Sequence, residues 1–414
     1  MRVAFLFNHD QVHQIAHGLP IAIALAQAGT GAEILLCSAN ARITSELRAL
    51  AGDLIGTSLK LVELKLSSKA SRLVDAVAGR AIPSAKLLLY RDNLDFFRSL
   101  DVLVVPEKTS LVLKDQFGLD RLKIVHTRHG AGDRAIGFDT ASARFDHVLA
   151  AGPKIRDRLI AEAGVAPERI SIVGYPKFDL FRPGVPGQRQ DERPVVVYNP
   201  HVAPHLSSWY KQGRAILGWF AANPAYRLIF APHIMLFERR VVVTIQPPRI
   251  ARPGPDPSDF ASAGNIEVDT GSRALTTMEY LNRADIYLGD ASSQVYEFLA
   301  KPRPCLFFNA HGIEWEEDPN FAHWHAGKVV SDLGELEQAL ATANLDHEQS
   351  YRAIQEKLLR YTFDFNDKPA SVRAAQAIVE LASDGPVEQV RKARRPRRSH
   401  GMKPLPAFAG AAAS

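Results

Sequence analysis

ADIYLGDASSQVYEFLAKPRPCLFF, Ala284 to Phe308, is the stretch whose reading decides the fold. Ile286, Tyr287 and Leu288 form a short apolar strand, Gly289 and Asp290 end it, and Ser292 or Ser293 suits a helix cap. Val295 to Ala300 continues as a helix, and Pro304 to Phe308 reads as the next strand. Strand, turn, helix and strand in that order is the unit of an α/β sheet.

The alternation continues outward. Val195 to Tyr198, Arg227 to Phe230 and Ile266 to Val268 are strand candidates before this unit, and Glu348 to Arg360 and Pro369 to Ser383 are closing helices after it. An earlier series comprises Arg2 to Phe7, Ala32 to Ser38, Leu59 to Lys65, Asp101 to Pro106, Leu122 to His126, His147 to Ala150 and Ile170 to Val173. Helix-like segments such as Ile15 to Ala28 and Lys154 to Ala163 lie between its members. Several strands are apolar on both faces, which fits parallel strands covered by helices on each side. FRPGVPGQRQDERP, Phe181 to Pro194, interrupts the alternation with three prolines and two glycines, and reads as a linker. QPPRIARPGPDPSDFAS, Gln246 to Ser262, is too proline-rich for a helix or a central strand, and reads as a surface loop or lid. The expected architecture is α/β: two Rossmann-like, doubly wound domains, residues 1–180 and 195–384, facing a central cleft, with the last helices able to return to the first domain. A chain of 414 residues exceeds one hydrophobic core and suits two.

Charge narrows the partners. The formal net charge is +5, but seven Lys and Arg residues follow Glu388 with no acid among them, so the body is slightly acidic. The basic character belongs to a tail, 385–414, and argues against a nucleic-acid groove. Rich in Pro, Ala and Arg, the tail lacks the apolar surface to offset its chain entropy and reads as disordered, with anionic lipid as its best-fitting partner and mere solubilisation as the plainer alternative. No run reaches the ~18 apolar residues of a membrane span, and Val3 to Phe7 is too short for a signal-peptide core, so a cytoplasmic protein, peripheral on the membrane if the tail binds it, is expected. Cys37 and Cys305 stand far apart inside strand candidates, which disfavours a disulfide framework or a thiolate metal site.

Ligands of such folds bind at the carboxyl ends of the strands, so polar residues there are the candidates. After Ile286–Leu288, the turn residue Gly289, the hydroxyls of Ser292 and Ser293 and the following backbone N–H groups make a pyrophosphate site, although a serine there is often a cap and nothing more. KIVHTRHGAGDRAIGFD, Lys123 to Asp139, puts His126 and His129 just past a strand, with Gly130 and Gly132 permitting a sharp turn and close approach. An imidazole facing the cleft suits proton abstraction; His126 is the more structural of the two. The His-x-x-His spacing could suggest a metal, but no third ligand follows at a recognised interval, and none is expected. RLIFAPH brings His233, and VVVYNPH brings Asn199 and His201, to strand ends of the second domain. Arg128, Arg134, Lys154 and Lys177 are candidate phosphate neutralisers. The cluster of Trp315, Trp324, His311, His323 and His325 is either an acceptor surface or packing.

In this order the motifs resemble those of the CDP-glycerol glycerophosphotransferases of teichoic acid synthesis, enzymes of the GT-B type. The resemblance spans roughly residues 120 to 380 and rests on four matches and a closing segment. Arg128, His129 and Gly130 stand where that family has Trp-His-Gly; Gly174, Tyr175 and Pro176, followed by Asp179, match its Gly-Tyr-Pro. Pro232 and His233 match its His-Pro region, Gly289 to Ser293 its Thr-Asp-Tyr-Ser-Ser, and FNDKPASVRAA from Phe365 its closing segment. The resemblance implies that His129 is the base for an acceptor hydroxyl, that His233 binds or polarises the transferred phosphoryl group, and that Ser292 and Ser293 hold the donor phosphates. Asp290 would support the catalytic pair, with His126, Gly130 and Glu297 behind it and Arg128, Asn199, His201 and Gly289 near the donor. It further implies a CDP-glycerol or other nucleotide-activated donor, a glycan or lipid-linked acceptor, and no cofactor. The departures, Arg128 for Trp, Ala131 for the Thr after Trp-His-Gly, Ala291 for Tyr and Asn199 to His201 for a Pro-Thr pattern, bear on the donor more than on the fold. A nucleotide-sugar transferase, an enzyme like the UDP-N-acetylglucosamine 2-epimerases and a non-catalytic nucleotide- or glycan-binding protein are the competing readings.

Overall fold

The computed structural model describes residues 1–7, 12–66, 84–184, 191–245 and 247–383. The expected tail at 385–414 and part of the linker lie outside them. The first sheet has seven strands: β1 Arg2–Leu6, β2 Glu33–Ser38, β3 Lys60–Glu63, β4 Val102–Val105, β5 Lys123–His126, β6 His147–Ala150 and β7 Ile170–Ile172. Their order is β3-β2-β1-β4-β5-β6-β7, every neighbouring pair parallel. The second half adds β8 Val195–Asn199, β9 Arg227–Phe230, β10 Val242–Ile245, β11 Pro248–Ala251, β12 Ile266–Val268, β13 Ile286–Gly289, β14 Cys305–Phe308 and β15 Lys328–Val330. Six of these form a parallel sheet, β12-β9-β8-β13-β14-β15, while β10 and β11 pair as an antiparallel hairpin.

Alternation along single strands shows why both sheets need helices on each face. Val3 and Phe5 of β1 belong to one apolar cluster and Ala4 and Leu6 to another. Val196 and Tyr198 of β8 face a third, whereas Val195 and Val197 join the cluster that holds Ala4 and Leu6. One apolar core therefore contains side chains of both sheets, and burial of that surface favours the two halves in contact. In each sheet the strand order reverses beside the first strand, between β1 and β4 and between β8 and β13. Such switch points leave a crevice at the carboxyl ends of the strands.

The chain returns to its first half at the end. The helix Ala370–Ser383 lays Ala374, Ala375 and Ile378 against the cluster of Val3, Phe5 and Leu19. The return is seated by two motifs that the sequence shows far apart: Asp179 accepts a 2.6 Å hydrogen bond from the Ser371 amide, and a Cβ on Gly174, at φ +86°, would collide with Ala370 and Arg373. Tyr175 packs on Phe363 with ring centres 4.9 Å apart.

Two sequence expectations change. The proline-rich stretch is not irregular throughout, because Pro248–Ala251 is a strand; Pro248 takes its first position, where a missing N–H does least harm. The three-residue β15, too short to stand out in the sequence, follows the strand expected to be last.

Candidate functional site

A cavity of about 550 Å³ lies between the two halves. The first sheet contributes Pro106, Glu107 and Lys108 after β4, and His126, Arg128, His129 and Gly130 at and after β5; the second contributes His201 after β8, His233 after β9, and Ser292 to Gln294 after β13. Among the described residues seven histidines line it: His13, His17, His126, His129, His201, His233 and His323.

His129 places Nδ1 2.9 Å from the Pro106 carbonyl. A carbonyl only accepts, so Nδ1 carries the proton and the lone pair is on Nε2. The ring is exposed to the cavity, whose walls partly desolvate it. This desolvation lowers its pKa, the Pro106 carbonyl pulling the other way. A neutral imidazole with a lone pair is competent as a base near neutral pH.

Across the cavity the tautomers reverse. The Met235 amide donates to His233 Nδ1 at 3.2 Å, and the Ala203 amide to His201 Nδ1 at 3.0 Å, so both rings carry their proton on Nε2. Burial, followed by Arg134, pulls the His233 pKa down to about 4, and burial with His233 and Arg134 pulls His201 well below the usual imidazole range. Arg134 Nη1 stands 3.3 Å from His201 Nε2. With the His201 Nδ1 lone pair taken by Ala203, this is one donor facing another, and an anion bound alongside both would satisfy them. His233 lies beside them, its ring centre 5.7 Å from that of His201 and 6.3 Å from that of His13.

The acids around the cavity are already engaged. Glu107 accepts from Tyr90, Thr109 and Ser110; Asp139 pairs with Lys108 at 2.8 Å; Glu297 accepts from Tyr175 at 2.8 Å and Lys177 at 2.7 Å. Asp133 receives Lys154 at 2.8 Å on one oxygen and Tyr296 at 2.7 Å and His323 at 2.9 Å on the other. Burial alone would raise the Asp133 pKa, but the Lys154 charge and the His323 bond together hold it well below the ordinary carboxylate range. Tyr296 and Glu297 are neighbours on the helix Gln294–Leu299, so Asp133 and Lys177 clamp that helix to the first half from two sides. Lys154 and Lys177, candidate phosphate neutralisers by sequence, are thus committed to carboxylates.

Other expected site residues serve the scaffold. Asp290 is fully buried and does not line the cavity; it accepts from the His201 amide at 2.8 Å, the Ser208 amide at 2.7 Å, the Ser208 hydroxyl at 3.0 Å and the Ala291 amide at 2.8 Å. Burial pushes it up to about 6, these bonds opposing. It acts on the cavity by fixing the backbone that carries His201. Asn199 is also turned away, donating to the Ala231 carbonyl at 2.6 Å and accepting from Tyr287 at 3.1 Å. Gly289 leaves space for the Tyr287 ring, which a Cβ would meet at 2.6 Å. Arg128 lines the wall at φ +59°, its guanidinium donating to the Gly137 carbonyl at 2.6 Å and lying 4.6 Å over Phe138. His126 stacks on Phe145.

Ser292 and Ser293 divide the roles expected of either. Ser292 is buried and accepts from the Gln294 amide at 3.3 Å, whereas Ser293 is exposed in the cavity and makes no cap bond. The approach allowed by Gly130 and Gly132 is to Ser293: a Cβ on Gly132 would sit 2.9 Å from the Ser293 Cβ. Trp324 and His323 are buried against the Asp290 carbonyl, so that part of the aromatic cluster is packing. Sequence reasoning missed Asp133, His13 and His17. The two histidines carry a legible signal, i and i+4 spacing just after β1, whereas two of the partners of Asp133, Tyr296 and His323, come from the other half. Among the described residues no group of three or more His, Cys, Asp or Glu side chains is placed to hold a metal ion.

No protein-family model matches the sequence, and no curated protein matches it. Solved structures do match. The wall teichoic acid polymerase TagF superposes at a TM-score of 0.56 with 13% identity, covering 92% of this chain and 88% of that one. A UDP-N-acetylglucosamine 2-epimerase reaches 0.59 with 11% identity over 97% and 99% of the two chains. The UDP-GlcNAc 2-epimerase from Neisseria meningitidis, bound to UDP-GlcNAc, gives 0.53 with 12% identity over 92% and 99%. The fold is GT-B-like. In this GT-B-like chain the described cavity occupies the crevice between the two sheets, and no helix among the described residues is long and apolar enough to cross a membrane.

Proposed function

We propose that the protein is a transferase that moves glycerol phosphate, or a related polyol phosphate, from a CDP-activated donor to a cell-envelope glycan or lipid-linked acceptor. The observation that carries this reading is the opposition of tautomers: a lone pair on His129 Nε2 at one wall, and converging donors from Arg134, His201 and His233 at the other. Three donors with engaged acids around them suit a diphosphate. His129 would take the acceptor's hydroxyl proton; the freed oxygen attacks the polyol-bearing phosphorus, the bridging P–O bond breaks, and CMP leaves with its electron pair. The donors at the second wall hold the phosphoryl oxygens as charge develops, so the acceleration comes from positioning and electrostatics. Ser293 adds a hydroxyl contact to the phosphates from the helix that Ser292 caps, and the basic tail would hold the protein peripherally at the cytoplasmic face of an anionic membrane.

The TagF structure soaked with CDPG and the epimerase structure bound to UDP-GlcNAc show nucleotide-activated ligands in related folds. The near-complete mutual coverage with an epimerase supports a second reading, chemistry on a UDP-sugar in the same cavity. Incubation with CDP-glycerol, other CDP-polyols and UDP-sugars separates them: CMP release supports the phosphotransferase, and UDP release or epimerised sugar the alternative. His129→Ala should lower CMP release by a factor of about 10²–10⁴. Full activity in that variant would remove His129 as the base.

A further inference from the structure

The hairpin of β10 and β11 stands apart from the rest of the molecule. Among the described residues its strands pair only with each other. Val243 and Ile250 are register partners on one face and are 65% and 77% exposed; Val241, just before β10, is exposed as well. A soluble surface tolerates single exposed apolar side chains, but adjacent ones on a face without a sheet behind it mark a contact surface. The opposite face holds the hairpin in place, through the buried Val242 and, at its foot, the Trp209 indole donating to the Pro253 carbonyl at 2.8 Å. The apolar face is thus presented by a fixed base.

Charge selects the partner. Residues 239–252 contain Arg239, Arg240, Arg249 and Arg252, all exposed, and no Asp or Glu, in a chain whose body is otherwise slightly acidic. An apolar patch rimmed by arginines matches the interface of an anionic bilayer, where apolar side chains enter the headgroup region and guanidinium groups pair with lipid phosphates. We propose that this hairpin is a membrane-docking element, with Val241, Val243 and Ile250 entering the interface of an anionic bilayer and Arg239, Arg240 and Arg252 at its foot meeting the headgroups, while Arg249, the register partner of Thr244, lies on the face of Val242. Ile234 lines both the central cavity and the groove of about 260 Å³ at the hairpin foot, which Arg239 and Arg240 also line. The groove at the hairpin foot therefore adjoins the central cavity.

The test uses the full chain and needs no donor: co-sedimentation with vesicles of phosphatidylcholine alone or mixed with phosphatidylglycerol. The wild type should bind the mixed vesicles far better, with affinity falling as salt rises. Val243→Asp with Ile250→Asp should weaken binding roughly tenfold or more, and Arg239, Arg240 or Arg252 changed to Gln about fivefold, while thermal unfolding stays unchanged. Wild-type affinity in both sets of variants would overturn the proposal and leave any binding to other basic segments. Sedimentation of the free protein reads the other occupant: a dimer lost in the Asp variant, with vesicle binding unchanged, would make this face a contact between copies and overturn the proposal as well.

Discussion

Asp133 and Asp290 are equally hidden from water and differ in what faces them. Asp133 has a lysine on one oxygen and a phenol and an imidazole on the other, and its pKa is held low; Asp290 has only amide and hydroxyl donors, and burial pushes it up to about 6. Asp133 sits where the halves meet, and its partners Tyr296 and His323 come from the second. Asp290 lies inside the second half and works through the backbone of His201 and Ser208. A full countercharge keeps a buried carboxylate ionised, whereas neutral donors leave it close to protonation.

The largest effect should come from breaking the charged pair. Asp133→Asn leaves Lys154, itself pulled down to about 8 by burial, without its carboxylate, and should cost about 3–5 kcal/mol in denaturant unfolding. Asp290→Asn removes no countercharge and turns an amide donor toward existing donors, for about 1–3 kcal/mol. If Asp290→Asn proves the more damaging, the contrast between the two carboxylates is wrong.

Acid sharpens the comparison. His233, at about 4 in the fold against about 6.5 unfolded, binds fewer protons folded than unfolded within that window. The stability this residue contributes should therefore fall as pH drops from 6.5 toward 4, by roughly 1 kcal/mol at pH 5.5, with His17 and His201 adding in the same direction and Asp290, pushed up to about 6, opposing them. Unfolding followed against pH checks this, and His233→Gln should flatten the slope. A slope unchanged by that substitution would assign the loss to other groups. The smallest effect is expected from Ser293→Ala, whose hydroxyl makes no cap bond: a few-fold weaker binding of CDP with unchanged stability.

These contrasts also mark what the sequence could carry. The β13–β14 unit was legible because its apolar run, glycine stop and following helix are local signals, and the same holds for the strand ends that bring His129, His201, His233 and Ser293 to the cavity. Asn199, Gly289 and Asp290 occupy strand ends of the same kind but turn into the protein, and only the Tyr287 ring, the Ala231 carbonyl and the Ser208 loop explain why. Asp133 was illegible because Tyr296 and His323 lie more than 160 residues away. The hairpin strand was hidden by its prolines, and β15 by its length of three residues.

The central claim is that the two walls of the cavity do different work, and calorimetric titration with CDP-glycerol of the wild type, His129→Ala and His233→Ala tests it most directly. His233→Ala should weaken binding about tenfold by removing a phosphate donor, and His129→Ala should bind within about twofold of wild type. Binding lost in His129→Ala and kept in His233→Ala would contradict the account.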